Sequence, residues 1–479
     1  MQDLRSWLKE TERLGLLRRI EGADWNLEIG CTTYINMLEN DDDRPALLFD
    51  NIKDYSKGYR VLTCSMANSK LIAHTFGLPT GLPDLEFLTT LRRKFPEWVA
   101  NVNRFHPQRV KTGPVLQNIQ SGSDVNLLTF PVPKWHELDG GRYIGTGHAV
   151  ITKDPDSGQI NLGTYRTCVI DNKSIVIFSI TGQHGRVHRE RYHARGEACP
   201  IALSIGHNPL VFAVAGFPLP YPEYEFAGAV IGKPIKVIEE EVTGLPIPAD
   251  SEVVIAGWSQ PGDTIVEGPF GEWTGNYSDK QLPMPVVHIE RVYYRNDPII
   301  LGSLVSWPGE STFFSTVLRS VLLHNEMERT GIQDIRGVWL HRHASRLFIA
   351  ISVEQRYPGH AMHAALFAAQ SRIPEWSRYI VTVDEDIDPT NFDEVLFAMC
   401  TRVNIDKDIH IIKGLKSSTL DPATSRGAGE AFTNSVMIID ACKPYAWKDE
   451  FPKRIEFSPE LVERVKRSWF SQSKRSHLM

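Results

Sequence analysis

From about Leu127 to Tyr294 the chain is a succession of short apolar runs, each ended by proline or glycine. His148-Ala-Val-Ile-Thr152, Ile160 to Ile170 and Ser174 to Ile180, with the turn Asp154-Pro-Asp-Ser-Gly158 between the first two, read as a meander of strands. Pro209 to Ala215, Ile235 to Glu239, Glu252 to Ala256 and Val286 to Tyr294 continue it. Strands repeated in this way must cover their edges, so the stretch predicts a strand-rich, barrel-like region.

The flanks have a different texture. Asp3 to Leu17 predicts a helix that Gly15 helps to end, and Leu85 to Arg93 predicts another with Asp84 as its cap. Ala46 to Phe49 and Arg60 to Thr63 read as strands. Downstream, Ser311 to Thr330 carries Val317, Leu318, Val321, Leu322 and Met327 at helical spacing. Strands at Leu347 to Val353, Tyr379 to Val383 and Val436 to Ile439 then alternate with helices from His360 and Phe392. A chain of 479 residues is too long for one core. The expectation is a mixed α/β (α+β) protein: an N-terminal α/β domain over 1–110, the strand-rich domain over 111–310, a connecting helix over 311–330 and a C-terminal α/β domain over 331–479.

A net charge of −6 leaves no basic stripe for phosphate backbones, which argues against nucleic acid. The longest apolar run, Pro209 to Phe217, is too short to span a bilayer, and the N-terminus opens on an amphipathic pattern rather than a signal sequence. The six cysteines are scattered without a CxxC pair, as expected for reduced thiols in a cytoplasmic protein.

Several polar constellations interrupt the strands. Asn161-Leu-Gly-Thr-Tyr-Arg166 puts an arginine among apolar residues; it either faces solvent or needs an acidic partner. Gln183-His184 stands where a strand ends, while His188 and His193 further along the same stretch read as solvated helix positions. Glu223 and Glu225 precede an apolar helix, where they suit either the helix dipole or a cation. An Asn, His and Glu set suits a hard or borderline ion such as manganese or magnesium better than zinc. Glu267-Gly-Pro-Phe-Gly-Glu272 holds two carboxylates on a rigid spacer, as a salt-bridge loop or as an acid and a base. Asp384-Glu-Asp-Ile-Asp388 reads as an acidic turn and Ser425-Arg-Gly-Ala-Gly429 as a flexible loop.

In this order, and with Ala227-Gly-Ala-Val-Ile-Gly232 and Tyr357-Pro-Gly-His360, these segments resemble the UbiD family of prenylated-flavin-dependent decarboxylases over nearly the whole chain. The resemblance implies a split-barrel flavin domain and reversible, non-oxidative decarboxylation of an aromatic, heteroaromatic or α,β-unsaturated acid. It implies that Arg166, Glu267 and Glu272 form the catalytic group, with Glu272 the proton donor. Asn161, Thr164, Tyr165, Arg166, Gln183, His184 and Glu223 would line the cofactor, prenylated FMN. Asn161, His184 and Glu223 match the ligands of a Mn2+ or Mg2+ ion, and a K+ site found in some members falls near Ala215 to Phe217. A flavin prenyltransferase would supply the cofactor, and the assembly would be a homodimer or homohexamer built through the C-terminal domain. The pocket walls are expected at Ser306 to Phe314 and around Thr433 to Met437. Two other readings stand beside this one: an FMN-dependent oxidoreductase on a split barrel, and a non-catalytic, metal-stabilised assembly protein.

Overall fold

The computed structural model describes residues 3–39, 44–217, 219–278, 282–374, 376–418, 420–423 and 433–470. Ser425 to Gly429 therefore lies outside the described residues. The first sheet has four strands, Leu17–Glu21, Ala46–Asp50, Arg60–Thr63 and Ile299–Leu301, so the chain returns to it only after completing the central region. Helix Leu4–Arg13 is shorter than the sequence predicts. Asp3 caps it by accepting from Ser6 N at 2.9 Å, and the chain turns at Gly15 (φ 71°) into the first strand. Helix Asp84–Asn101 begins one residue early, so Asp84 is its first residue rather than its cap, and it accepts from the Ser69 hydroxyl at 2.9 Å.

The central sheet has ten strands among the described residues. Its path runs Arg142–Gly145, Thr167–Val169, Ser174–Ile177, Leu282–Tyr294, Val253–Ser259, Cys199–Ile205, His148–Lys153 and Ile160–Gly163, with Thr264–Glu267 and Asn118–Ser121 also pairing to the long strand Leu282–Tyr294. Two chain connections show how far this sheet curls. Arg142–Gly145 at one end of the path is followed, after only Thr146 and Gly147, by His148–Lys153 near the other end. Ile160–Gly163, the last strand of the path, is followed after Thr164 to Arg166 by Thr167–Val169, the second. Connections that short require the two ends to face each other, so the sheet is a curled half-barrel.

One run departs from the strand pattern. Pro209–Ala215 is a helix, with Pro209 in its first turn and the Asn208 side chain accepting from Leu210 N at 2.9 Å. All seven of its residues are buried, and an unbroken apolar run carries no period that separates helix from strand. The Asn-Pro start signal was the better guide.

Helix Glu310–Arg329 links this half to a five-stranded C-terminal sheet ordered Ile335–Leu340, Phe348–Val353, Tyr379–Asp384, Thr433–Asp440, Ile409–Lys416. The three middle strands are parallel, with helices His360–Gln370 and Phe392–Arg402 in the crossovers. Val317 and Val321 of the linking helix belong to the apolar core shared by the N-terminal and central regions, while Leu323 and Met327 belong to a C-terminal core. Asp384 and Asp386 are bound by Arg402, and Lys443 reaches Asp386, which makes Asp384-Glu-Asp-Ile-Asp388 a structural latch. No described helix is long and apolar enough to cross a membrane.

Glu310, the first residue of the linking helix, is completely buried. Its carboxylate accepts from Cys64 N (3.0 Å), Met66 N (2.8 Å) and the Ser65 hydroxyl (2.8 Å), tying the end of strand Arg60–Thr63 to the helix start. Removing the carboxylate strands three buried donors, each at roughly 1–3 kcal/mol. Glu310→Ala is therefore expected to lower the melting temperature by several degrees, which differential scanning calorimetry reads directly.

Candidate active site

The half-barrel's two ends meet where Thr164 to Arg166 leave one strand and enter another. Thr164 N donates to Ala215 O at 3.2 Å and its hydroxyl to His148 O at 3.0 Å, while Phe178 N donates to Arg166 O at 3.0 Å. These bonds interrupt what the sequence presents as one strand and turn Arg166 inward. Its guanidinium grips Glu267 with both arms, Nε to Oε1 at 3.0 Å and Nη2 to Oε2 at 2.7 Å, and Nη1 donates to Glu272. The Phe178 ring centre lies 3.8 Å from the guanidinium carbon and that of Phe270 lies 4.9 Å away. Glu267 is 3% exposed and Glu272 7%, so the pair is a buried site rather than a surface salt-bridge loop.

The two carboxyls differ in their surroundings. Glu267 has both oxygens on Arg166 and also accepts from the Tyr143 hydroxyl at 2.7 Å. Glu272 has only one arm of the same cation. Burial pushes its carboxyl up to about 7, Arg166 pulls it down, and the neighbouring Glu267 charge pushes it up again. The result is an anchored ion pair beside a carboxyl that titrates near neutrality.

The Gly268-Pro-Phe-Gly271 spacer is clamped from outside. Gly140 N donates to Pro269 O at 2.8 Å, and a side chain on Gly140 would meet Gly268 O at 2.4 Å. Asp139 accepts from Gly271 N at 3.0 Å, and Gly268 takes φ 102°, a conformation other residues resist. Tyr143, Asp139 and Gly140 were missed in the sequence. The only signal was the polar run Asp139-Gly-Gly-Arg-Tyr143 before a strand.

The second group of expected residues surrounds strand Ile160–Gly163. The Tyr165 hydroxyl accepts from Gly185 N at 3.2 Å and from the Asn161 side chain at 3.4 Å. Gly163 and Gly185 leave room for that ring, since a Cβ on either would come within 2.6 Å of it. Glu223 accepts from Leu162 N at 3.2 Å. His184 and Glu223 are each the first residue of a helix, His184–Ala194 and Glu223–Ile231, and both helices pack on this strand. Burial pushes the Glu223 carboxyl up to about 7, so a cation beside it would be favoured. An amide oxygen, an imidazole and a carboxylate fit a borderline or hard divalent ion. Gln183 caps its own turn, its side chain accepting from Ile180 N at 2.9 Å.

His188 corrects one expectation. It is buried rather than solvated, with Nδ1 3.0 Å from the Thr152 hydroxyl and Nε2 3.6 Å from Asp154, because its helix packs on strand His148–Lys153. His193 is partly buried and bonds Ser259 O at 3.0 Å. Of the expected pocket walls, Phe314 packs against Phe212 and Phe217, whereas Trp307 is half-exposed and lies against Gly275, next to the Glu272 turn.

The phenolic acid decarboxylase of Streptomyces sp. (strain D7) is 33% identical over 467 residues, 93% of this chain and 92% of that protein. Profiles described as the N-terminal, Rift-related and C-terminal domains of 3-octaprenyl-4-hydroxybenzoate carboxy-lyase match residues 8–91, 108–308 and 312–441. The chain belongs to the UbiD family of carboxy-lyases. Another UbiD-family relative, the pyrrole-2-carboxylic acid decarboxylase of Pseudomonas aeruginosa, is 31% identical over 84% of this chain and 83% of its own length. Among solved structures, the UbiD-class enzyme HmfF of Pelotomaculum thermopropionicum in complex with FMN superposes with a TM-score of 0.85, at 26% identity, over 98% of this chain and 100% of its own. An evolved dimeric form of HmfF in complex with prFMN superposes at 0.81, with 25% identity, over 97% and 98% of the two chains.

Tyr143 supplies a testable part of this geometry. Tyr143→Phe removes one buried hydrogen bond to Glu267, a loss of about 1 kcal/mol. Decarboxylase turnover is expected to fall roughly fivefold, the factor that about 1 kcal/mol of transition-state stabilisation is worth, with the melting temperature little changed.

Proposed function

We propose that this chain reversibly decarboxylates an aromatic, heteroaromatic or α,β-unsaturated carboxylic acid, with Glu272 as the proton donor. The observation that carries the proposal is the asymmetric triad: one guanidinium, one doubly held carboxylate and one carboxyl poised near neutrality. Losing carbon dioxide from an sp2 carbon leaves an electron pair that no side chain accepts well; prenylated FMN, when bound, supplies that electron sink. The protein's own work is positional and protic. Arg166, fixed by Glu267 and Tyr143, holds Glu272 at the departing carboxylate's place, and Glu272 delivers its proton to the carbon that lost it. In the carboxylation direction Glu272 takes the proton back.

Asn161, His184 and Glu223 would hold Mn2+ or Mg2+, with Thr164, Tyr165 and Gln183 lining the cofactor beside them. A K+ ion would use backbone carbonyls near Ala215 to Phe217. A flavin prenyltransferase supplies the cofactor, and the chain works in the cytoplasm as a homodimer or homohexamer joined through its C-terminal domain. The domain limits 1–110, 111–310, 311–330 and 331–479 belong to the same reading. The phenolic and pyrrole acids named for the two relatives are the substrate classes to try first. The oxidoreductase and assembly-protein alternatives leave the near-neutral Glu272 without a task.

Glu272→Gln is expected to lower decarboxylation by about 10²–10⁴-fold while the flavin absorbance of the purified protein stays; a variant keeping most of its activity would falsify the donor role. In the parent enzyme the proton must be on Glu272, so turnover should fall as pH rises through about 7, and a profile flat across that value contradicts the assignment. Protein made in a host lacking flavin prenyltransferase should be inactive. Co-expression should give active enzyme carrying a divalent ion by elemental analysis, an ion that Glu223→Gln loses.

A further inference from the structure

The turn that carries Glu272 is touched from the C-terminal region. Trp273, the next residue, has the guanidinium of Arg346 stacked on it, 3.9 Å from the ring centre. The Trp376 ring packs on the same indole at a centroid distance of 4.8 Å. Arg346 stands in the tight turn between strands Ile335–Leu340 and Phe348–Val353, and Trp376 lies just before strand Tyr379–Asp384, so both are mounted on the C-terminal sheet. Ser345 and Arg346 take φ 46° and 64°, with Arg346 N bonded to His341 O at 3.4 Å. A non-glycine pair in left-handed backbone is uncommon, and here it sets the direction in which the arginine leaves its turn.

The Glu272 turn is otherwise short and closed on itself. Glu272 N donates to Asn276 O at 2.9 Å and Gly275 N to Glu272 O at 3.0 Å, so a force on the indole is passed to the carboxyl within one rigid turn. The charged groups that bear on Glu272 come from three places: Arg166 from the barrel, Glu267 from the same loop and Arg346 from the C-terminal sheet. Arg346 is the one of these that the central region does not supply.

We propose that Arg346 is a positioning residue for the proton donor: through its stack on Trp273 it couples the docking of the C-terminal region to the placement and acidity of Glu272. With the sheet docked, its positive charge favours the ionised carboxyl and opposes the effect of burial. With the sheet withdrawn, Glu272 loses that charge together with the packing of Trp273. The proton would then be released readily only when both halves of the molecule close on the substrate. This coupling rests on Glu272 being the donor, but the link between Arg346 and the Glu272 carboxyl can be measured without any turnover.

Full-length protein purified with its cofactor is titrated by infrared difference spectroscopy, the Glu272 carboxyl band being assigned by its absence in Glu272→Gln. Arg346→Met should move the midpoint to higher pH, by roughly half a unit for one charge at partly screened distance. Arg346→Lys should restore it, because the charge and part of the stack on Trp273 remain. The descending limb of the pH–turnover profile should move in the same direction. An upward shift in Arg346→Met reversed in Arg346→Lys supports the coupling, whether or not any carboxylic acid is turned over. Coincident midpoints in all three proteins overturn it, even in fully active enzyme.

Discussion

A guanidinium removed from water needs carboxylates in fixed positions, and Arg166 has two. Leaving one partner of such a group unpaired is worth roughly 3–5 kcal/mol, enough that surrounding structure adapts to keep the triad closed. Much of the half-barrel can be read as that adaptation. The break between strands Ile160–Gly163 and Thr167–Val169 brings the arginine in, and the Gly268-Pro-Phe-Gly271 spacer brings both glutamates to it. Asp139, Gly140 and Tyr143 then hold the spacer and the first glutamate from behind. Glu267 takes two arms of the fork and Glu272 a single one, and burial raises the Glu272 carboxyl to about 7.

The same connection places the second group of residues. Thr164 to Arg166 is three residues long, so whatever sits at Asn161 and Tyr165 lies within a few residues of Arg166. The first turns of two helices, bearing His184 and Glu223, pack against the strand that ends there. Helix N-termini favour anions, while a buried carboxyl and an imidazole favour a cation. The curled half-barrel therefore gives one short connection two neighbouring groups of polar residues, the Arg166 triad on one side and Asn161, His184 and Glu223 on the other.

What the sequence disclosed followed from the kind of signal each residue leaves. Arg166, Glu267 and Glu272 stand out because a charge amid apolar runs is conspicuous, and their order along the chain carried the family resemblance. The linking helix was legible from period and length, and its observed span, Glu310–Arg329, lies within a residue of the predicted one. Pro209–Ala215 was misread because an all-apolar run has no polar face to reveal its period. His188 was misread for the opposite reason: arginines and a glutamate around it suggest solvent, but only one side of that helix meets the sheet, and Thr152 and Asp154 wait there. Tyr143 and Asp139 left only a polar run before a strand, since their partners lie more than a hundred residues away in sequence.

Long-range partners of that sort also tie Glu272 to the rest of the molecule. Glu272 lies in a turn whose next residue, Trp273, is held by Arg346 and Trp376 from the other sheet, and whose Gly275 lies against Trp307. The linking helix that begins at the buried Glu310 contributes to both apolar cores and so runs as a strut across the junction. At that junction a stacked guanidinium meets an indole next to the Glu272 carboxyl. The triad fixes where the Glu272 carboxyl is held, and Arg346 and Trp376 pack the neighbouring Trp273 from the C-terminal sheet.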